Sequence, residues 1–442
     1  MPISSGKRPD RGQEGVLTMT LHAANRLTVA ETQLIESYTD QIGELPGDGA
    51  VLSARDRLFD ELKRGGLPTR RIEAWHYTDL KNLLRSVPET DPATRVKPVG
   101  AMVAGSTVFA VAQGKAVSEN APEGVAVELF RDALASGSAA AGLVAHDGDD
   151  IIGRINSSFV RDGFAISVAA DTTLDAPLEL QSIHGAGQVH VRYPAVFGAA
   201  SRAVVIERHL NAGEGAALVS SVSDLEIGDG AEVTWIILQT QGTDDTHLGQ
   251  IKVELGADAR FRLFVINAGG KLVRQEIHVR TAGEGSDFTL RGVNLVGGES
   301  HVDVTMTLGH DMPNTTSTEI IRNVVFDRGR GVFQGQIRVA PAAQKTDARM
   351  ACNTLLMSDD GEFSVKPELE IFADDVQCGH GATVADIDHN HLYYMMARGI
   401  PEKKARAMLI YAFVAEIVEE LDDEALVEAL EGIISGWLEH HG

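Results

Sequence analysis

The sequence predicts a mostly β protein: a parallel β-helix core over residues 100–385, flanked by helical regions over 28–99 and 386–442. Three observations carry this expectation. Between about 100 and 385, short alternating apolar segments are divided by small turns at Gly213-Glu214-Gly215, Gly228-Asp229-Gly230, Gly256-Ala257-Asp258, Gly283-Glu284-Gly285, Gly297-Gly298-Glu299 and Gly329-Arg330-Gly331. The first glycines of these turns are 15, 28, 27, 14 and 32 residues apart, so most gaps are near one or two units of about 14. Helical spacing of apolar residues is confined to the two ends of the chain. Regular short strands at such a period, without intervening helices, stack coil upon coil and bury a continuous core.

Taken in order, residues 1–27 read as a disordered leader, with Met19 as an alternative start. Thr28, Ser53 and Thr78 are candidate helix N-caps, and Leu58, Leu62, Leu80, Leu83 and Leu84 recur at helical spacing. Trp75, Tyr77 and Leu80 are expected to fasten this region to the rest by packing. The repeated phrase of the core is seen by comparing Leu225-Glu226-Ile227-Gly228-Asp229-Gly230 with Val253-Glu254-Leu255-Gly256-Ala257-Asp258. The end coils of such a solenoid expose strand edges that must be capped or matched to a partner, a task that the terminal helices suit. Past the core, Asp386 or Asp388 caps a helix reaching about Ala397, and Pro401 opens the next as its first helical residue. A last helix runs from Asp423 to about Leu438, and from Ala407 to Gly442 there is no Lys or Arg.

Composition narrows the function classes. A formal charge of −24 argues against nucleic acid, because phosphate binding relies on clustered Lys and Arg. No apolar run approaches a membrane span, and Lys7, Arg8 and Arg11 are followed by no signal-peptide core. Two cysteines in 442 residues point to a reducing cytoplasm and cannot supply four thiolates to an iron–sulfur cluster. There is no P-loop, GxGxxG, GxSxG or HExxH; Gly329 to Gly335 has one residue too many for a P-loop and lacks the following helix.

The chemistry that remains gathers in Ala373-Asp374-Asp375-Val376-Gln377-Cys378-Gly379-His380-Gly381-Ala382-Thr383. A thiol and an imidazole two residues apart offer donors to iron, copper or zinc, and the flanking glycines permit close approach. The pair is expected at the end of the alternating stretch Leu369, Ile371, Ala373. A small buried thiol and a turn histidine are the plain alternative. His389 and His391 follow, and with Cys378 and His380 they would make a four-donor zinc set, although the spacing matches no strong zinc signature. Cys352 reads from its pattern as a buried strand residue.

The run from Lys366 to Thr383 closely resembles the C-terminal signature of the SufB/SufD family of iron–sulfur cluster assembly scaffolds. Arg398-Gly399-Ile400 and Ile410-Tyr411-Ala412-Phe413-Val414-Ala415-Glu416 resemble the same family, as do Gly66 to Leu80 and His310 to Ser317. The resemblance implies a right-handed β-helix between helical segments and a non-catalytic scaffold subunit of a cytoplasmic assembly complex. It also implies pairing with SufB, binding of the SufC ATPase through the C-terminal helices, and a transient iron–sulfur cluster shared with SufB. ATP hydrolysis would then belong to SufC. SufB carries extra cysteines nearer its N-terminus and a HEAT-like sequence where this chain has His380-Gly381-Ala382-Thr383, which places the chain on the other side of that pair. His380 is implied as the cluster or iron ligand, with Cys378 beside it. Asp374 and Asp375 are read as orienting the histidine rather than ligating. Reduced flavin is associated with such complexes, and no residue here locates it. Cys352 departs from the pattern: Cys352-Asn353-Thr354-Leu355-Leu356 aligns with the SufB segment Cys-Asp-Ser-Leu-Leu, whose cysteine accepts sulfur. A relic, a packing choice and a second sulfur-handling station all stay open for it. Two other classes stand beside this reading: a β-helix carbohydrate-active enzyme, which needs a groove of carboxylates and bases on exposed strand faces, and a zinc-stabilised adaptor.

Overall fold

The computed structural model describes residues 27–90, 95–117 and 120–441, so the expected leader lies outside the described residues except for Leu27. The N-terminal region holds α1 (Val29–Gln41), α2 (Gly49–Gly65) and the short α3 (Leu80–Leu83). Thr28 caps α1 through a reciprocal box with Glu31, as its sequence position suggested. Ser53 caps nothing: its hydroxyl donates to the Gly49 carbonyl inside α2, which Asp48 caps instead. Thr78 is buried and Asp79 caps α3. Next come β1 (Thr107–Ala112), β2 (Lys115–Val117), β3 (Val125–Leu129), α4 (Phe130–Ser136) and α5 (Ile151–Phe159). The two helices fall within the segment read as strands alone.

The solenoid proper continues through β4 (Asp162–Val168), β5 (Leu178–His184), β6 (Gly187–Phe197), β7 (Arg202–Asn211), β8 (Ala217–Ile227) and β9 (Glu232–Thr240). It goes on through β10 (Thr246–Leu255), β11 (Arg260–Asn267), β12 (Leu272–Thr281), β13 (Asp287–Val296), β14 (His301–His310) and β15 (Thr316–Val325). Its last strands are β16 (Arg330–Val339), β17 (Asp347–Leu356), β18 (Glu362–Ile371) and β19 (Gln377–Ala385). Odd-numbered strands from β5 onward form one parallel sheet with β1, which β2 extends, and even-numbered strands from β4 onward form the other, which β3 extends. Each coil therefore spends one strand on each sheet, giving a parallel β-solenoid of about eight turns. Register steps such as Thr246↔Leu272, Leu272↔His301 and Arg330↔Glu362 mean that one coil is two of the 14-residue units read from the turns.

Alternate residues of every strand point inward, so Val233, Trp235 and Ile237 of β9 stack in register on Phe261, Leu263 and Val265 of β11. Several intervening residues of the odd sheet are buried too. Ile236, Leu238, Phe264, Ile266, Val293 and Leu295 pack under the C-terminal helices α6 (His389–Ala397), α7 (Glu402–Val418) and α8 (Glu424–His441). This double burial explains the unbroken apolar run Trp235-Ile236-Ile237-Leu238. Pro401 stands one place before the first turn of α7, as its N-cap, and Asp423 caps α8 through the Ala425 and Leu426 amides. On the even sheet, α5 and the N-terminal helices cover Leu218, Val222, Leu248 and Leu272.

A polar latch completes the N-terminal attachment. Arg274, fully buried, lies 4.1 Å over the Trp75 ring, pairs with Asp303 and Glu276, and donates to the Ala74 carbonyl. Thr78 donates to Asp303 and meets His301 at 2.8 Å, and Lys366 of β18 pairs with Glu73. The packing role expected of Trp75 and Leu80 is what the fold uses.

Both helical regions thus lie along the flanks of the solenoid and do not cap its ends. At the N-terminal end the sheets finish in the short antiparallel strands β2 and β3. At the C-terminal end they finish in β19 and β18, each hydrogen-bonded to a neighbour on one side only. No helix among the described residues is long and apolar enough to cross a membrane.

Candidate functional site

The open end is built from the turn joining β18 to β19. After Ile371 the chain crosses to the odd sheet, held by the Phe372 amide on the Val339 carbonyl at 2.9 Å and the Gln377 amide on the Thr346 carbonyl at 2.8 Å. Cys378 and His380 therefore sit in the first half of a new strand, not at the end of the preceding one. Their neighbour β17 supplies the hydrogen bonds that hold this glycine-rich run extended: Ala348↔Cys378, Met350↔His380 and Cys352↔Ala382 are in register. A Cβ built on Gly379 or Gly381 would meet nothing within 4 Å, so this chain alone does not demand glycine there. Their contribution is a bare backbone on the face away from Cys378 and His380.

The inward columns of the solenoid run straight to these residues. Leu178, Val205, Trp235, Leu263, Leu290, Glu319, Met350 and His380 occupy one column, strand upon strand. Glu319 interrupts an otherwise apolar file. It is wholly buried, neither of its carboxyl oxygens has a hydrogen-bond partner, and burial pushes its pKa up to about 8. His380 is exposed at the end of the file, and its ring makes no hydrogen bond, ion pair or ring contact.

Cys378 is half-buried against the core, and desolvation, with Asp347 and Glu319 nearby, raises its pKa, so the isolated chain holds a thiol there. Cys352 is 1% exposed, and burial pushes it up to about 12. Its sulfur accepts from Asn323 Nδ2 at 3.3 Å. That amide ends a ladder within the core: Asn267 donates to Asn294 at 2.6 Å, Asn294 to Asn323 at 2.7 Å, and Asn323 to Thr354 at 3.1 Å. The three amides line up one behind another, and the last, Asn323, presents its N–H to the Cys352 and Thr354 side chains of β17.

Asp374 and Asp375 lie in the turn, exposed. Asp375 pairs with Lys345, and neither Asp374 nor Asp375 contacts the imidazole in the chain by itself. The reason is reach: five or six residues separate them from His380, and a strand advances about 3.3 Å per residue. The zinc set fails as well. His389 and His391 face solvent on α6 beside Asp386 and Asp388, and among the described residues no three His, Cys, Asp or Glu side chains converge to hold a metal ion.

One feature escaped the sequence reading. The outer face of the even sheet carries a groove of about 840 Å³ in which Asp224, Glu254 and Asp311 stand beside Arg192, Lys252 and Arg280. These charges answer one another: Lys252 and Arg192 contact Asp224 at 2.7 and 2.8 Å, and Arg280 contacts Asp311 at 2.7 Å. Although burial opposes it, those two cations hold Asp224 below the usual carboxylate range, the reverse of what a glycosidic proton donor requires. Glu319, by contrast, had a signal in the sequence: Ser317, Glu319, Ile321 and Asn323 share the inward parity of β15, where a carboxylate is out of place.

Comparison with known proteins follows the same lines. Residues 182–413, which are 232 of the 442, match the family described as SUF system FeS cluster assembly, SufBD core domain. Iron-sulfur cluster assembly protein SufD of Escherichia coli (strain K12) is 29% identical over 383 residues, covering 83% of this chain and 88% of its own. An iron-sulfur cluster assembly SufBD family protein of Synechocystis is 24% identical over 433 residues, covering 88% and 91% respectively. Protein ABCI7, chloroplastic, of Arabidopsis thaliana is 25% identical over 438 residues, covering 92% and 90%.

Proposed function

The chain belongs to the SufB/SufD family of the SUF iron–sulfur cluster assembly system and is of the SufD type, and from that premise we propose that it is a non-catalytic scaffold subunit whose open solenoid end pairs with SufB. The observation that carries this reading is the pair of edge strands at that end, one of which holds Cys378 and His380. Unpaired N–H and C=O groups along β19 are a template for a partner strand. Pro367 removes one donor from β18 and Lys366 adds a charge, so β19, which has no proline, is the more open of the two edges. Exposed Ile371, Phe372 and Val384 border the same end and give a partner apolar surface to bury.

In the assembled pair, His380 donates a neutral imidazole nitrogen to iron of the growing cluster, which is cargo and not a resident cofactor. Cys378, a thiol in the isolated chain, loses its proton as iron approaches and holds iron or sulfur beside it. SufB supplies the remaining thiolates, since this chain has only two cysteines. Cys352 serves as packing in the isolated chain, and sulfur handling there would require the last coil to open.

SufC docks on the corner of α6 and α7, and not on the acidic α8. The apolar residues Leu426, Leu430 and Ile434 of α8 are spent on the sheet. Tyr393, Tyr394, Met396 and Met408 are exposed beside Arg398, Lys403 and Lys404. Such aromatic and methionine residues are what interfaces favour.

Co-expression with SufB and SufC tests the reading. The wild-type chain is expected to bring both proteins down with it, and His380→Ala to retain both while the purified complex loses cluster formation. A His380→Ala complex that still builds clusters at the wild-type rate removes the ligand assignment. A chain that captures neither partner removes the scaffold reading.

A further inference from the structure

At the opposite end of the sheet order from His380, the β1–β2 turn, β6 and the N-terminal helices enclose a second polar cavity of about 410 Å³. His190 and Gln188 line it and are only 5% and 8% exposed, yet His190 Nε2 and Gln188 Oε1 have no hydrogen-bond partner within the protein. The buried Thr90 Oγ1, also on the lining, has none either.

The surrounding bonds decide what these atoms offer. Asn156 Nδ2 donates to Ser220 Oγ at 3.1 Å, so the Ser220 hydroxyl proton is free to go to His190 Nδ1 at 2.8 Å. With Ser220 donating to Nδ1, the ring proton sits on Nε2, a donor at the cavity. The ring is held by stacking on Phe159 at 5.1 Å, and burial, with Arg161 and Arg55 nearby, lowers its pKa to about 3, so it stays neutral. Gln188 Nε2 donates to Ser37 Oγ at 2.9 Å and to the Pro88 carbonyl at 2.8 Å, which fixes Oε1 as an acceptor at the cavity. A donor and an acceptor are therefore positioned by bonds made behind them, as in a preorganised site.

Charge supplies the rest. Among the described lining residues, Lys115 and Arg161 face the cavity beside the carboxylate of Glu44, which leaves one positive charge in excess in a chain whose net charge is −24. Arg161 is positioned by Gln41 Oε1 at 3.1 Å and Glu44 at 3.8 Å, whereas exposed Lys115 is engaged by no side chain. We propose that this cavity binds a small anionic oxyanion ligand, with its charge met by Lys115 and Arg161, one oxygen accepting from His190 Nε2–H, and a hydroxyl of the ligand donating to Gln188 Oε1. Phosphate esters and hydroxylated dicarboxylates share this chemistry.

Calorimetric titration of the full chain with inorganic phosphate, pyrophosphate and malonate, each at matched ionic strength in chloride, tests the proposal. Saturable binding of at least one probe at a single site is expected. Phosphate or pyrophosphate points to a phosphorylated ligand and malonate to a dicarboxylate. Losing a charge-assisted contact, Lys115→Glu should weaken binding by about tenfold or more, while Lys271→Glu, exposed just before β12 and away from the cavity, leaves it unchanged. The absence of saturable binding for all three probes overturns the proposal, and so does equal weakening by the two variants, which would mark a diffuse charge effect.

Discussion

Replacing Glu319 with glutamine removes the one carboxylate in the inward file that leads to His380, and its effect should depend on pH. Glu319 has a folded pKa of about 8 against an ordinary 4.5, raised first by burial and further by Asp287, with Ser317 and Arg291 opposing. The folded chain therefore keeps a proton that the unfolded chain releases, and stability falls as pH rises from 4.5 through 8, then levels. At about 1.4 kcal/mol per pKa unit, the full penalty is on the order of 5 kcal/mol. The two-state linkage expression puts about 2–3 kcal/mol of it between pH 6 and pH 9. Glutamine keeps the shape and cannot ionise, so the stability of Glu319→Gln relative to the parent should climb by that amount across the interval. Paired urea denaturation curves at pH 6, 7, 8 and 9, followed by circular dichroism, measure the difference and cancel every other titrating group. Two parallel stability–pH curves would refute the burial argument for this residue.

Other consequences are open to measurement. Brief alkylation at pH 8 should modify Cys378 and spare Cys352, whose thiol is buried and held near 12, with both reacting in urea; peptide mass spectrometry reads the sites, and equal native rates would contradict the placement of Cys352. Trp75→Ala should cost about 3–5 kcal/mol, because it empties a fully buried site and leaves Arg274 without its ring. Hydrogen exchange should then rise first in residues 70–84, and a uniform rise along the solenoid would mean that the latch is not a separate unit. Val384→Lys should change the stability of the isolated chain by no more than about 0.5 kcal/mol, since the side chain is exposed, yet reduce capture of SufB. Undiminished capture would move the interface away from β19.

Much of this architecture was legible because a solenoid repeats its own evidence. Each coil returns the same inward parity and the same small turns, so local noise averages out over many strands. Errors gathered where one residue had to speak for itself. Ser53 and Thr78 are good capping types, but Asp48 and Asp79 hold the positions from which a side chain reaches the first free amides. The helices α4 and α5 were missed because they are short and lie within a segment dominated by strand alternation. β19 was missed for a different reason: Gln377-Cys378-Gly379-His380-Gly381 has little strand propensity, and it is extended because β17 offers it a ladder.

By itself, the sequence determined that this chain is a parallel β-solenoid with helical ends, lacks thiolates for a whole cluster, and carries Cys378 and His380 in a motif of the SufB/SufD family. Period, composition and spacing are properties of the chain order, and they survive without coordinates. Only the tertiary structure decided that the helices flank the solenoid and leave its end open, that Glu319 lies two strands beneath His380, and that an asparagine ladder ends at Cys352. The physical reason is that these facts depend on which coil stacks on which. Residues some 30 positions apart become neighbours through backbone hydrogen bonds, and whether a polar side chain is satisfied or stranded is fixed only once its strand has found its place.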